Sequence, residues 1–202
     1  MKVLLYALPR TGSTNLGEGL AKSLGLKYFF EPFSYFRPIK EQSILYNQIK
    51  QQDSILVKHL CDHSPIRNPE LRSEFFSLFD ITICLTRRNF IDHLESIIHL
   101  HYLRKLKTSA DGMHKKYSYD RVPKEFKKEL NESVSNYIKE QNSSLEKFNG
   151  RLFFYEQIFN PNPIDFFKEV KSIFPDISLD TLSKYIDVKN KYRVYDTNKE
   201  AM

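Results

Sequence analysis

The sequence predicts an α/β fold with three layers, in which a central parallel sheet of about five strands is flanked by helices. The chain has 202 residues and is 41% hydrophobic, which suits one domain with a sizeable core. Short apolar runs typical of buried strands alternate with segments whose apolar residues recur at helical spacing. Strand and helix units in this rhythm favour right-handed crossovers, and crossovers of that kind join parallel strands.

Apolar runs that are short enough to be buried strands recur along the chain. A turn and a helix follow the first run, and the helix carries Leu16, Leu20 and Leu24 on one face. Pro32 ends the second run, because proline cannot donate a hydrogen bond to a strand ladder. The predicted strands are residues 3–8, 26–30, 54–60, 81–85 and 151–155.

Helical periodicity fills the segments between these strands. Asn68, Pro69 and Glu70 resemble a cap and first turn, so a helix is expected from there to about residue 79. Phe90 and Phe126 lie near the starts of two apolar faces that predict helices after the fourth strand and from residue 122. Further helices are predicted over residues 39–49, 164–174 and 179–186.

The whole chain, residues 1–202, is interpreted as a single domain. Residues 104–121 are polar and basic with no apolar period, so we interpret them as a mobile loop. Residues 187–202 are interpreted as a C-terminal tail. The acceptor pocket is expected to draw on residues 33–50 and 100–125, which the motifs below constrain least.

Composition limits the classes of function. The 31 Lys and Arg exceed the 25 Asp and Glu, and the net charge of +6 favours an anionic ligand without identifying it. The two cysteines, Cys61 and Cys84, lie apart in apolar stretches, which excludes a disulfide scaffold and a Cys-based zinc site. No His, Cys and Asp cluster has ligand spacing, so no metal is expected. No apolar run is long enough to cross a bilayer, and we expect a soluble, cytoplasmic protein.

The turn after the first strand is the first candidate site, because open parallel sheets bind ligands at the carboxyl ends of their strands. Gly12 and Thr14 match the Walker A pattern, whereas Ser13 stands in place of its lysine. The amides of this loop can still bind an anion at a helix N-terminus. The alternative is a plain helix cap in which Asn15 and Glu18 form a capping box. The turn reads Ala7-Leu8-Pro9-Arg10-Thr11-Gly12-Ser13-Thr14-Asn15-Leu16.

This turn resembles the 5′-phosphosulfate loop of sulfotransferases that use 3′-phosphoadenosine 5′-phosphosulfate (PAPS), particularly the carbohydrate-modifying and bacterial branches. The resemblance implies a P-loop-like fold, with PAPS as the donor substrate and PAP as the product. In that family the cation corresponding to Arg10 contacts the transferred group. The resemblance assigns the phosphosulfate cradle to Thr11, Gly12, Ser13, Thr14 and Asn15.

A second segment resembles the part of that family which receives the 3′-phosphate. Arg88 leaves the tip of the fourth strand, and Ser96 follows it on the next helix. A guanidinium offers a forked charged donor to phosphate, and a hydroxyl adds a neutral one. Phe90 stands where the family usually has proline. The alternative to a phosphate-binding role is that Arg88 is a solvated surface charge. Glu156 lies in a third segment of family type, where we expect it to anchor loops.

Sulfuryl transfer also needs a group that takes the acceptor proton. Glu31 lies in an E-P-F context that resembles the carbohydrate branch, where a carboxylate is the base, and its aromatic neighbours favour a raised pKa. His59 lies in a K-x-H-L region similar to that of cytosolic sulfotransferases, offset by one residue, and ranks second. Glu31 could instead be a surface carboxylate. Arg10, the loop amides and Lys58 are expected to stabilise the leaving group.

The sequence therefore predicts a PAPS-dependent sulfotransferase that acts on the hydroxyl of a small molecule or glycan, with a carbohydrate favoured. No metal, nucleic-acid partner or membrane span is expected. One alternative is a P-loop nucleotide kinase, against which the missing Walker A lysine argues. The other is a non-catalytic nucleotide- or RNA-binding module that uses the basic surface.

Overall fold

The computed structural model describes residues 1–34, 36–61, 74–106 and 119–186. Its centre is a five-stranded sheet in the order β2-β3-β1-β4-β5, and every neighbouring pair is parallel. The predicted three-layer α/β class with a parallel sheet is confirmed. The strands are β1 Lys2–Ala7, β2 Lys27–Phe30, β3 Ile55–Leu60, β4 Ile81–Thr86 and β5 Arg151–Phe154.

Helices connect the strands and cover both faces of the sheet. A 3-10 turn at Tyr119–Arg121 precedes the longest of them, and residues 74–77 and 179–186 are also helical. The helices are α1 Ser13–Leu24, α2 Ile39–Gln51, α3 Phe90–Lys105, α4 Lys124–Glu146, α5 Tyr155–Ile158 and α6 Ile164–Ile173.

Two hydrophobic cores lie on opposite faces of the sheet, because successive strand residues point to opposite sides. Leu5 and Ala7 of β1 pack with α1, α6 and residues 179–186 on one face. Leu4 and Tyr6 pack with α2, α3 and α4 on the other face. β1 is buried along nearly its whole length, and each fully buried Leu contributes roughly 2 kcal/mol of transfer free energy.

Most predicted boundaries are within a residue or two of the observed ones. The predicted fifth strand is one residue too long, because Tyr155 begins α5, where its ring packs against Phe159. The predicted loop 104–121 is wrong at both ends, since α3 continues to Lys105 and residues 119–121 form a 3-10 turn. Residues 107–118, the tail 187–202 and most of the helix predicted from residue 68 lie outside the described residues.

The strand order brings distant segments to one edge of the sheet. β1 lies between β3 and β4, so the chain crosses to one side of β1 after α1 and to the other side after β3. In open α/β sheets the carboxyl edge beside such a crossing is where ligands bind. The segments that follow β1, β2, β3 and β4 all begin at this edge. Within the described part of the chain, no helix combines the length and apolarity that a bilayer crossing requires.

Candidate functional site

The loop after β1 folds tightly against the sheet. Thr11 is completely buried, and its hydroxyl donates to the Leu8 carbonyl at 2.7 Å. The Leu8 amide in turn donates to the Leu85 carbonyl of β4 at 3.1 Å. Gly12 has φ +75°, and a Cβ there would lie 2.3 Å from the Phe159 ring. Only glycine fits this position without a rearrangement, so the loop is fixed by both its conformation and its packing.

The N-terminus of α1 opens at this loop. The helix begins at Ser13 with Gly12 as its N-cap, and no side chain caps it. The predicted alternative, a capping box of Asn15 and Glu18, is wrong, because the helix starts before those residues. The unpaired amides of the first turn of α1 therefore lie at the carboxyl edge of the sheet. They form the positive end of the helix dipole, which favours an anion there. Asn15 instead donates to the Tyr185 carbonyl at 3.5 Å.

A buried ion pair lies beside this helix N-terminus. Lys58 is only 3% exposed, and its Nζ lies 2.5 Å from Glu31 Oε1 and 2.9 Å from Thr14 Oγ1. The ammonium also lies 4.4 Å from the centre of the Phe30 ring. β3 is hydrogen-bonded to both β1 and β2, so Lys58 can reach groups that follow either strand. The structure therefore brings together three predicted site residues, Thr14, Glu31 and Lys58.

Left-handed backbone marks two of the predicted site residues. In the described part of the chain, Arg10 (φ +65°) and Glu31 (φ +41°) are the non-glycine residues with positive φ. Such conformations cost free energy and cluster at functional sites. Arg37 stabilises the second one, since its Nε donates to the Glu31 carbonyl at 3.1 Å and its Nη2 to the Phe30 carbonyl at 3.2 Å. Arg37 is itself paired with Glu41.

The segment after β4 is held by α5. The amides of Arg88 and Asn89 donate to the two carboxylate oxygens of Glu156, at 3.0 Å and 3.2 Å. This is the anchoring role predicted for Glu156. The Arg88 guanidinium stacks 4.3 Å from the centre of the Phe154 ring. A cavity of about 290 Å³ opens beside Arg88, with Asn142 of α4 on its wall.

The two phosphate-binding segments predicted from sequence meet directly. Arg10 Nε donates to Ser96 Oγ at 3.2 Å, although the resemblance places these residues at opposite ends of the ligand. Sequence reasoning missed His93, which belongs to the second segment and contacts the first. It is completely buried on α3, and its Nε2 lies 2.9 Å from the Pro9 carbonyl oxygen. The signal that could have found it is a histidine among the apolar positions of that helix.

His59 lies away from the ion pair. Adjacent strand residues point to opposite faces, so His59 enters the core on the side opposite to Lys58. It is 2% exposed, its ring is nearly parallel to Tyr6 at 5.8 Å between centroids, and Phe33 and Phe75 pack edge-on. These are the surroundings of a core side chain. In the described residues, no group of three or more metal-binding side chains lies together.

Comparisons with known proteins identify the fold. No family model matches the chain, and no curated protein matches its sequence. It is similar to the crystal structure of shikimate kinase from Aquifex aeolicus, with a TM-score of 0.50 and 14% identity over 84% of this chain and 94% of that one. It is also similar to shikimate kinase from Bacteroides thetaiotaomicron, with a TM-score of 0.50 and 11% identity over 87% and 98% of the two chains.

At this identity the likeness shows the fold alone. The chain thus has the α/β fold of P-loop kinases, which agrees with the predicted P-loop-like class. These similar structures are kinases and not sulfotransferases.

Proposed function

We propose that this chain is a transferase that binds a nucleotide at the carboxyl edge of its sheet and moves a sulfuryl group from PAPS to a hydroxyl acceptor. The observation that carries the proposal is the position of the Lys58 ammonium, between the Thr14 hydroxyl and the Glu31 carboxylate. A fixed cation, a carboxylate and an uncapped helix N-terminus then lie together. Charge neutralisation and proton removal are what such a transfer needs from the protein.

The choice of donor rests on Thr14. In a Walker A loop the hydroxyl at this position binds Mg²⁺, and the preceding lysine reaches the β- and γ-phosphates. Here Ser13 replaces that lysine, and the hydroxyl accepts a hydrogen bond from Lys58 instead. Lys58 thus supplies at this hydroxyl the positive charge that the metal ion of a bound triphosphate would otherwise provide. This arrangement supports a phosphosulfate donor over a metal-bound triphosphate.

The proposed step is an in-line displacement. The acceptor oxygen forms a bond to sulfur as the bond between sulfur and the bridging oxygen breaks, and PAP leaves with that electron pair. Glu31 takes the acceptor proton, and Arg10 with the first amides of α1 neutralises the leaving phosphate. Arg88 holds the 3′-phosphate, and Ser96, which the resemblance assigns to the same group, also accepts a hydrogen bond from Arg10. His59, the second candidate for the base on sequence grounds, enters the core on the opposite face of the sheet, so the proposal assigns the proton transfer to Glu31. A carbohydrate is the favoured acceptor.

A P-loop kinase is the second candidate function, and the fold likeness to shikimate kinases favours it. In that case the same helix N-terminus would bind the phosphates of a metal triphosphate. The other alternative, a non-catalytic nucleotide- or RNA-binding module, predicts a nucleic-acid affinity that falls steeply with salt and no preference for a 3′-phosphorylated adenosine ligand.

Calorimetric titration with 3′,5′-ADP, 5′-AMP and Mg-ATP separates these functions. We expect saturable binding of 3′,5′-ADP, with 5′-AMP weaker by about tenfold or more, because one charge-assisted contact is lost. Equal binding of 5′-AMP, or Mg-ATP turnover without PAPS turnover, would overturn the sulfotransferase assignment.

Variants assign the roles within the site. Arg10→Ala and Arg88→Ala should weaken 3′,5′-ADP binding, whereas Glu31→Gln should preserve binding and abolish sulfuryl transfer. Arg151→Ala is the matched control, because Arg151 begins β5 at the opposite edge of the sheet and its side chain is 58% exposed.

A further inference from the structure

Helix α3 supplies two contacts to the loop after β1. His93 Nε2 lies 2.9 Å from the Pro9 carbonyl oxygen, and Ser96 Oγ accepts from Arg10 Nε at 3.2 Å. Residues three apart lie on the same face of a helix, so these contacts are neighbours. One of them holds the backbone just before Arg10, and the other holds the Arg10 side chain.

The geometry defines the protonation of His93. A carbonyl oxygen can only accept, so Nε2 must carry the hydrogen. Nδ1 is buried as well, and no hydrogen-bond partner for it lies among the described residues. A second proton on the ring would therefore place an N–H group in the interior without an acceptor, which is costly. These surroundings therefore favour the neutral Nε2–H tautomer of the His93 ring.

The surrounding charges support the same conclusion. The pKa of His93 is lowered to about 4, chiefly by burial, although its hydrogen bond to Pro9 and the Glu156 carboxylate oppose the shift. The nearby Arg87 and Arg10 guanidinium groups contribute to this lowering of the pKa. The ring is therefore uncharged at neutral pH and donates to Pro9 as a permanent part of the loop.

Arg10 requires such support. Its φ of +65° costs a non-glycine residue roughly 1–2 kcal/mol, so the conformation persists only where its neighbours hold it. We infer that His93 is a positioning residue, which holds the Pro9 carbonyl and thereby keeps Arg10 in the left-handed conformation from which its guanidinium reaches Ser96. The choice of 3′,5′-ADP as the binding probe below rests on the proposed function. The contact between His93 and the loop is independent of that function.

Two substitutions test the inference. His93→Leu removes the donor and keeps much of the bulk, whereas His93→Gln places an amide donor near the position of Nε2. With 3′,5′-ADP as the calorimetric probe, His93→Leu should weaken binding about tenfold, the effect of losing roughly one hydrogen bond. His93→Gln should recover most of that loss. Ile91→Ala, a truncation at an exposed position of the same helix, should leave binding unchanged.

A double-mutant cycle separates positioning from a general effect on the fold. In an Arg10→Ala background, His93→Leu should weaken the remaining binding by less than about threefold, because the group that His93 positions is gone. If the loss stays near tenfold in that background, His93 does not act through Arg10 and the inference is overturned.

NMR tests the positioning role even if 3′,5′-ADP does not bind and the proposed donor is wrong. Two-bond proton–nitrogen spectra of the wild-type chain should show the neutral Nε2–H tautomer of His93 at pH 7. The amide signals of Arg10 and Gly12 should shift in His93→Leu and return towards their wild-type positions in His93→Gln. An Nδ1–H tautomer, a charged ring at pH 7 or unchanged loop amides would each overturn the inference.

Discussion

At the scale of single residues, Lys58 and Glu31 form a buried ion pair in which each charge compensates the other. Their side chains are 3% and 13% exposed, so removal of either one leaves a charge that water cannot reach freely. We predict that Lys58→Met lowers the free energy of unfolding by about 3 kcal/mol, the usual cost of breaking a buried pair. Urea denaturation measures it.

A second substitution distinguishes the lost pair from lost packing. Lys58→Met combined with Glu31→Leu should be more stable than Lys58→Met alone, because no unpaired charge remains. The control is Lys50→Met, which breaks a pair with Glu74 whose side chains are 44% and 43% exposed, and which should leave the urea midpoint unchanged. Equal losses at the two lysines would contradict the prediction.

The two glycines that flank α1 allow backbone strain and steric crowding to be measured separately. Gly12 and Gly25 both have positive φ, but a Cβ at Gly25 would meet nothing within 4 Å, whereas one at Gly12 would meet Phe159 at 2.3 Å. Gly25→Ala should therefore cost about 1 kcal/mol from backbone strain alone. Gly12→Ala should cost a further 1–3 kcal/mol or so, because a packed ring must move.

Thermal and urea unfolding of both variants test this difference. Gly12→Ala should also weaken nucleotide binding, since the amides of Ser13 and Thr14 follow the altered residue, whereas Gly25→Ala lies at the far end of α1. Similar stabilities for the two variants would show that the Phe159 ring does not confine the loop.

At the scale of elements, α5 acts as a brace for the segment between β4 and α3. Its Glu156 accepts both the Arg88 and the Asn89 amides. Hydrogen bonds to a charged group each contribute about 1.5–3 kcal/mol, and part of this is regained when water solvates the amides. We predict that Glu156→Ala lowers the free energy of unfolding by about 2 kcal/mol and weakens 3′,5′-ADP binding.

The comparison for this prediction is Glu169→Ala. Glu169 on α6 is 36% exposed and is paired with Arg151 at 3.9 Å, so its loss should matter little. Glu156→Gln keeps one acceptor oxygen and should fall between wild type and Glu156→Ala. If Glu156→Ala were as stable and as active as Glu169→Ala, the brace would have no energetic role.

The sequence predicts elements well and their arrangement less well, for a physical reason. A buried strand needs a run of apolar residues and a helix needs an apolar face, and both patterns are local. The pairing of Lys58 with Glu31 depends on β3 lying next to β2, which no local pattern records. The contact between Arg10 and Ser96 depends likewise on β1 lying next to β4. His93 was missed because a buried histidine on a helix is usually ordinary core packing.

At the scale of the whole molecule, the fold concentrates charge that the sequence spreads out. The net charge of +6 comes from residues distributed along the chain. The sheet order nevertheless gathers Arg10, Lys58 and Arg88 into segments that end at one edge. Among the described residues, Lys58 lies beside the helix N-terminus and is paired with Glu31, while Arg10 and Arg88 follow β1 and β4 at the same edge. The net charge of the chain therefore says less about function than the positions of these three basic residues.

The pH dependence of global stability should report on His93. Its pKa is lowered from 6.5 to about 4 in the folded chain, so between these values the unfolded state binds more protons. The stability contributed by the neutral ring is complete above pH 6.5 and is lost as the pH falls towards 4. Relative to His93→Gln, wild type should lose about 2 kcal/mol between pH 7 and pH 4.5.

Urea unfolding at several pH values, run in parallel on wild type and His93→Gln, measures this difference. Carboxylates titrate in the same range and contribute to both proteins, so the difference between the two curves isolates the histidine. Parallel curves would mean that His93 takes up a proton as readily when folded as when unfolded. That result is incompatible with a buried Nε2–H donor to Pro9, because protonation would then place a second N–H group in the interior at no cost.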